Sequence, residues 1–116
     1  MIRKKVSDFF DIEYEDIDIV IFNDAEYARF NNDFTLTESD PRGIAITHPI
    51  KLIVLNIDNI DNDDLLHIII AHEYGHTIVG ADEEDADRFA LTLLSEENKN
   101  NLKRNWNIRH GHEYFD

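Results

Sequence analysis

The 116-residue chain contains no cysteine, which excludes disulfide bonds and thiolate zinc sites. Any zinc must therefore be held by histidine and carboxylate side chains. Long apolar runs are also missing, since residues 65–71 form the longest run near a predicted helix, include His67 and are too few to span a bilayer. Asp8 and Asp11 interrupt the basic start of the chain, where a signal peptide would be apolar. Together these absences predict a cytoplasmic protein.

Positive charge is scarce, with 11 basic residues against 25 acidic ones and a formal net charge of −14. An acidic surface repels nucleic-acid phosphates and anionic lipid headgroups, so we expect neither a nucleic acid nor a membrane as a partner. The same surface attracts cations, including metals and basic peptide segments. It also serves simply to keep a small protein soluble, and it carries no information about the fold.

Apolar residues make up 42% of the chain, which is enough for one globular domain over residues 1–116. The pattern predicts a helix over residues 2–10, strands over 17–22, 34–37, 43–47 and 51–57, and helices over 62–79, 83–94 and from Ser95 to about Trp106. Residues 24–30 fit a helix or a loop, residues 39–43 form a turn, and residues 107–116 form a loose tail.

Helix boundaries are suggested by capping residues. Asp61, Asp82 and Ser95 are the predicted N-caps of the three later helices, and Gly80 suits a sharp C-terminal stop. The order of elements predicts an α+β fold. It comprises an N-terminal helix, a small and mostly antiparallel sheet of about three strands, a buried helix, a second helix and a C-terminal helix.

Residues 72–76 read His72-Glu73-Tyr74-Gly75-His76, which is the HExxH pattern. On a helix the two histidines lie on one face, because residues four apart differ by only about 40° around the axis. Both imidazoles can then reach one ion at about 2.0–2.1 Å. Glu73, about 100° from His72 on the helix, can reach a metal-bound water without binding the metal. It is therefore the predicted general base.

The predicted helix around this motif is apolar on nearly all sides, which indicates that it is buried. Buried histidine and glutamate side chains need polar partners, and a metal ion with a water would satisfy them. The alternative is a pair of core histidines that are hydrogen-bonded to carbonyls or carboxylates, in a domain that binds no metal. The apolar residues of the helix are Leu65, Leu66, Ile68, Ile69, Ile70, Ala71, Ile78 and Val79.

Zinc needs a third protein ligand and, for catalysis, an open fourth position. Glu83 is the predicted third ligand, since a chain reversal at Gly80 can bring the next helix back to the metal. Asp87 lies four residues further on and shares that face, so it can accept the other ring N–H of a ligating histidine. For Glu84 and Asp85 we favour a solvated first turn that complements the helix dipole.

These residues resemble the ImmA/IrrE-type minimal gluzincins, in which HExxH is followed by E-x-x-A-[DN]-x-F-A on the next helix. The second motif here reads Glu83-Glu84-Asp85-Ala86-Asp87-Arg88-Phe89-Ala90, and the resemblance covers residues 43–94. It implies that Glu83 is the glutamate ligand and Asp87 its supporting acid. It also implies that residues 43–47 form an edge strand along which an extended peptide lies. The gap between His76 and Glu83 is shorter than in the family, which leaves Asp82 as an alternative third ligand.

The resemblance implies a zinc metallopeptidase in which a water activated by Glu73 attacks a peptide carbonyl polarised by Zn²⁺. The expected substrate is a protein or peptide, such as a specific regulatory protein. Mn²⁺ or Fe²⁺ would fit the same ligands. The alternative function is a non-catalytic binding or assembly module, such as a phage or mobile-element protein, that keeps the zincin fold and the metal site.

Other polar residues are less specific. A side chain that stabilises the oxyanion is expected, and the candidates are Tyr14, Tyr27, His48, His110 and His112. His110 and His112 fit a mobile polar tail better than a metal site. His67 lies about 220° from His72 around the helix, so we expect it to point away from the site.

Overall fold

The computed structural model describes residues 1–34 and 42–110. Within these ranges the chain forms a four-stranded sheet and four α-helices, and the predicted α+β class is confirmed. Two short 3₁₀ turns, Val6–Asp8 and Ile57–Asn59, follow the first and the last strand. The elements are β1 Ile2–Lys5, β2 Asp18–Phe22, α1 Asp24–Phe34, β3 Gly43–Ile46, β4 Leu52–Asn56, α2 Asp63–Val79, α3 Glu83–Leu91 and α4 Glu96–His110.

The sheet is mixed, with the strand order β1-β2-β4-β3. The two outer pairings are antiparallel, as expected, but the sheet has a fourth strand and its central pair, β2 with β4, is parallel. The prediction of about three strands is therefore wrong in number. A parallel pair needs a crossover, and the chain between β2 and β4 supplies it through α1 and β3. The segment that fitted a helix or a loop is thus helical.

The predicted N-terminal helix over residues 2–10 is wrong, because Ile2–Lys5 forms the edge strand β1. All four of its side chains are exposed, so the helix-like spacing of Ile2 and Val6 does not mark one buried face. Pairing with β2 decides the conformation instead. The strand ends where the Lys5 N–H donates to a carboxylate oxygen of Asp8 at 2.8 Å and the backbone turns.

Several predicted boundaries shift. Asn62, rather than Asp61, caps α2, because its side-chain oxygen accepts the Leu65 N–H at 2.8 Å. Helix α3 ends at Leu91, whereas residue 94 was the predicted end. Helix α4 continues past Trp106 to His110, so residues 107–110 are helical and not part of a loose tail. The predicted strand over residues 34–37 does not start at residue 34, because this residue belongs to α1. Residues 35–37, most of the predicted turn at 39–43, and residues 111–116 lie outside the described residues.

The sheet is covered on both faces. Ile19 and Ile53 belong to one apolar cluster with Tyr74 of α2. Val20 and Val54, whose side chains alternate to the opposite face, are also buried, and α1 packs there against β2 and β4. Burial on both faces explains why the central strands are continuous apolar runs. Across the described part of the chain, no helix is long and apolar enough to cross a membrane.

Candidate metal centre

Helix α2 places the two histidines of the motif one turn apart on a single face. The Nε2 atoms of His72 and His76 are 3.0 Å apart. Both side chains are largely buried, with 17% and 14% of their surface exposed. The expected convergence of the two imidazoles is therefore present.

Helix α3 reaches this face because it packs directly against the backbone of α2. Gly75 makes the approach possible, since a methyl group at that position would lie only 2.6 Å from the carbonyl oxygen of Ala86. The connection between the two helices consists of residues 80–82 alone. This short reversal directs Glu83 and Asp87, one turn apart on α3, towards the histidines.

Glu83 completes a group of three side chains that could hold a metal ion. One carboxylate oxygen lies 3.1 Å from Nε2 of His72, and the other lies 3.1 Å from Nε2 of His76. Tetrahedral zinc with bonds of about 2.0–2.1 Å would separate neighbouring ligand atoms by roughly 3.3 Å. The observed separations are within a few tenths of an ångström of that spacing, so the three side chains fit one ion of this size.

The other ring nitrogens define the chemistry of the donor set. Nδ1 of His72 faces Oδ1 of Asp87 at 2.6 Å, and Nδ1 of His76 faces the carbonyl oxygen of Gly80 at 2.8 Å. Both partners are acceptors, so each Nδ1 carries the hydrogen, and in a neutral imidazole Nε2 then presents a lone pair. Two nitrogen lone pairs and a carboxylate therefore meet at one point. Such a set is suited to a cation.

The electrostatic surroundings of His72 also favour positive charge. Burial lowers the pKa of His72, but the hydrogen bond with Asp87 and the nearby charges of Glu73, Asp87 and Glu83 outweigh this effect and raise the pKa above its ordinary value. Asp87 itself is 1% exposed. The negative charges of Glu73, Asp87 and Glu83, which favour the protonated form of the ring, would also stabilise a metal cation beside it.

The remaining acidic residues of the run have other contacts. Asp82, the alternative third ligand, caps α3, and its Oδ1 accepts the Asp85 N–H at 2.9 Å. Glu84 lies 2.9 Å from the guanidinium of Arg88 on the surface of α3. Asp85 is exposed. Among the acidic residues from 82 to 87, Glu83 is the one that joins the two histidines.

The three converging side chains lie at a cleft of about 330 Å³. One wall is helical, formed by α2, α3 and their connection, and we call it the helical wall. The opposite wall is strand β3, which we call the strand wall. Glu73 lines the cleft beside the histidines and is itself only 7% exposed. The lining residues are Gly43, Ile44, Ala45, Thr47, His72, Glu73, His76, Gly80, Ala81 and Glu83.

The predicted oxyanion-stabilising candidates lie elsewhere or are not described. Tyr14 packs against Phe89, Tyr27 is buried on α1, and His48 is exposed after β3. These three are absent from the described lining of the cleft. The side chain of His110 and all of His112 lie outside what the structure describes.

His67 points away from the site, as expected. Its ring forms T-shaped contacts with the rings of Phe9 and Phe10, at centroid distances of 5.6 and 5.7 Å. Its Nδ1 faces the carbonyl oxygen of Asp63 at 2.7 Å. Its role is therefore in the packing of the segment after β1.

Two features of the site escaped the sequence analysis. Gly80 was expected to end α2 and to reverse the chain, yet its carbonyl also contacts the ring of His76. Gly75 was read only as one of the variable positions of the motif, yet it is the point where α3 approaches most closely. A glycine inside an otherwise apolar helix is the signal for such an approach.

Comparison of the chain with protein-family models, with curated proteins and with solved structures gives no match. The case for a metal centre therefore depends on the residues themselves: two imidazoles and a carboxylate whose donor atoms lie 3.0–3.1 Å apart.

Proposed function

We propose that the chain is a zinc-dependent metallopeptidase of the ImmA/IrrE type, which acts in the cytoplasm and hydrolyses peptide bonds in an exposed segment of another protein. The observation that carries the proposal is the convergence of His72, His76 and Glu83 in a cleft that Glu73 also lines. Two histidines and a glutamate form a ligand set used by catalytic zinc sites, which keep a fourth position for water or substrate.

The strand wall supports a peptide as the substrate. The Asn56 N–H donates to the Arg42 carbonyl at 2.9 Å, so residues 42 and 56 form a hydrogen-bonded pair at the start of the β3–β4 ladder. Hydrogen-bonded and non-hydrogen-bonded pairs alternate in antiparallel strands. Ile44 and Ile46 therefore bond to β4, whereas Gly43 and Ala45 direct their N–H and C=O groups to the other edge.

That other edge borders the cleft, whose described lining includes Gly43 and Ala45 together with Ile44 and Thr47. Within the described residues, no strand pairs with this side of β3. An extended peptide can add there as a further strand, held by main-chain hydrogen bonds to Ala45. The formal net charge of −14 favours segments that carry positive charge.

Glu73 is the proposed general base. A zinc ion, when bound, would lower the pKa of water and polarise a carbonyl. The Glu73 carboxylate accepts a proton from the attacking water, whose oxygen forms the new bond to the peptide carbon. As the C–N bond breaks, Glu73 returns that proton to the departing amine.

Metal analysis and Glu73→Gln test this assignment together. The purified wild type should hold close to one equivalent of zinc and should cleave members of a pooled library of short unstructured peptides. Glu73→Gln should retain the zinc, yet lose roughly 10²–10⁴-fold in cleavage rate. Glu97→Gln, which changes an exposed glutamate at the start of α4, is the matched control and should cleave normally. Cleavage that survives in Glu73→Gln would remove Glu73 from the mechanism.

One observation favours the non-catalytic alternative. The described lining of the cleft includes no tyrosine, no arginine and no histidine besides the two proposed ligands. Oxyanion stabilisation would then come from the metal alone. A binding or assembly module needs no such group. Wild-type protein that holds zinc and binds the peptides without cleaving any of them would establish this alternative.

A further inference from the structure

Gly80 has a backbone conformation that is essentially restricted to glycine. Its φ is 107° and its ψ is −161°, a combination that L-residues adopt only under strain. The residue makes two contacts with the same histidine. Its N–H donates to the His76 carbonyl oxygen at 3.1 Å, and its carbonyl oxygen lies 2.8 Å from Nδ1 of His76.

The second contact determines which nitrogen of His76 is available. A carbonyl oxygen only accepts, so Nδ1 of His76 carries a hydrogen, and in the neutral ring Nε2 keeps the lone pair. That Nε2 atom is the one that lies 3.0 Å from Nε2 of His72 and 3.1 Å from Glu83. On His72, the buried Asp87 carboxylate performs the same task with a side chain.

We propose that Gly80 is a positioning residue of the metal centre, and that its glycine-only conformation sets the ring orientation and the tautomer of His76. The inference rests on the proposed metal site, but its tautomer component concerns the chain without metal. The same conformation turns the chain into α3, only three residues before the third proposed ligand. One backbone conformation therefore serves two of the three proposed ligands.

Steric crowding does not explain the glycine. A methyl group built at position 80 meets no atom within 4 Å. Replacing Gly80 by L-alanine would therefore act through the backbone alone. D-Alanine supplies the decisive comparison, because reversing the signs of φ 107° and ψ −161° gives −107° and 161°, which is ordinary β-region backbone for the mirror-image residue. Gly80→D-Ala should keep the native conformation, and Gly80→Ala should not.

Both variants are accessible. Gly80→Ala can be expressed, and Gly80→D-Ala can be made by chemical ligation at the 80–81 bond with a temporary cysteine at Ala81 that is then desulfurised to alanine. The chain has no other cysteine, so desulfurisation changes no other residue. Val79→Ala, at an exposed neighbouring position, is the control for an added change in the same segment.

Zinc affinity is the first measurement. Loss of the group that supports a ligating histidine typically weakens binding about 10–100-fold, and we expect this loss in Gly80→Ala. Gly80→D-Ala and Val79→Ala should bind zinc like the wild type. Wild-type affinity in Gly80→Ala would overturn the proposal. An equal loss in both alanine forms would also overturn it, because the absence of a side chain would then matter more than the conformation.

The tautomer of His76 is the second measurement, read by ¹H–¹⁵N correlation spectra of the metal-free chain at a pH where the ring is neutral. Nδ1 should be protonated in the wild type and in Gly80→D-Ala, and Gly80→Ala should show a mixture of tautomers. Should Gly80→Ala fail to fold, a D-alanine form without the native tautomer would still refute the inference. A wild type with this tautomer but no zinc affinity would instead remove the proposed function and leave the positioning of His76 intact.

Discussion

The helical wall and the strand wall of the cleft present different kinds of chemical group. The helical wall presents side chains, and its two histidines are oriented by neighbouring groups: His72 by Asp87, and His76 by Gly80. The strand wall presents main-chain groups of Gly43 and Ala45, and these are directed by the pairing of β3 with β4.

This difference predicts different sensitivities. On the helical wall the identity of each side chain matters, and the close contact of α2 with α3 leaves little room for change. On the strand wall the direction of the backbone matters, and side chains can vary while the ladder persists. Substitutions that separate these two requirements test the comparison most directly.

The largest expected contrast is within the strand wall, between proline at two adjacent positions. Ile44→Pro removes an N–H that bonds to Val54 of β4 and should destabilise the fold by roughly 1–3 kcal/mol, because the carbonyl of Val54 loses its partner. Ala45→Pro removes an N–H that faces the cleft, so it should leave the fold and the zinc affinity nearly unchanged, because proline is tolerated on the free side of an edge strand. Peptide cleavage, or peptide binding by Glu73→Gln, should nevertheless weaken.

Thermal unfolding and zinc titration of the two proline variants give the readout. If Ala45→Pro unfolds as readily as Ile44→Pro, the assignment of the free edge is wrong. If Ala45→Pro folds, binds zinc and handles peptides like the wild type, main-chain recognition along β3 is wrong and the ladder assignment stands.

On the helical wall, Asp87→Ala should weaken zinc binding about 10–100-fold, because His72 loses the acceptor that orients it. Asp87→Asn keeps an oxygen that can accept the same N–H, so it should recover part of the loss. Asp85→Ala is the matched control, since this exposed aspartate lies on the same helix. Zinc titration decides: equal affinities in Asp87→Ala and Asp85→Ala would mean that the buried carboxylate does not support the site.

A pair of glycines compares the two walls with one type of substitution. Alanine inside a helix is normally more stable than glycine by about 1 kcal/mol. Gly75→Ala should instead destabilise the fold by about 1–2 kcal/mol, because the new methyl group meets the backbone of Ala86 and α3 must shift. Gly43→Ala should cost less, since its closest contact, at 2.8 Å, is with the side-chain Cδ2 atom of Leu55, and its main-chain contact with the Val54 carbonyl oxygen, at 3.0 Å, is longer than the 2.6 Å contact at Gly75.

Chemical denaturation of both alanine variants tests this pair. Adding Ala86→Gly to Gly75→Ala should not restore stability, because the contacts are with main-chain atoms. Zinc affinity should fall with Gly75→Ala and remain with Gly43→Ala. A Gly75→Ala variant that is more stable than the wild type would show that the contact between α2 and α3 accommodates a methyl group at position 75.

The same contrast explains what the sequence could predict. Residues of the helical wall can be recognised by type and spacing, so the sequence predicts that His72, His76, Glu83 and Asp87 lie together. Main-chain contacts do not depend on residue type in this way, so the sequence does not reveal them. Gly80 therefore predicts a helix end and a chain reversal but not the partner of a histidine, and the parallel pairing of β2 with β4 could not be inferred from two apolar runs.

Strand β1 shows the limit most clearly. Its residues, Ile2–Lys5, are all exposed, so neither apolar alternation nor a buried face marks the strand. A distant segment, β2, determines its conformation through backbone hydrogen bonds. Local spacing favoured a helix, and tertiary pairing overrides a local preference of this size.

The smallest predicted effect lies behind the helical wall, in the connection between β1 and β2. Tyr74 of α2 donates to the Glu15 carbonyl there at 2.8 Å, and the neighbouring Asp16 accepts hydrogen bonds from the hydroxyl and the N–H of Ser7. The Ser7 hydroxyl is the main reason why the pKa of Asp16 lies below its ordinary value. Because the folded state lowers this pKa, the stabilisation is present above the ordinary pKa and is lost as the pH falls through the lowered one.

Asp16→Asn should therefore destabilise the fold at neutral pH by roughly a few tenths of a kcal/mol, since solvent screens this exposed group. The difference from the wild type should shrink in acid, where both side chains are uncharged. Urea unfolding as a function of pH measures it, with Asp11→Asn as the control for loss of a nearby carboxylate. Zinc affinity should stay constant in Asp16→Asn. A loss of affinity would mean that the metal site depends on the connection behind α2, and the two walls would then not be the units on which the cleft is built.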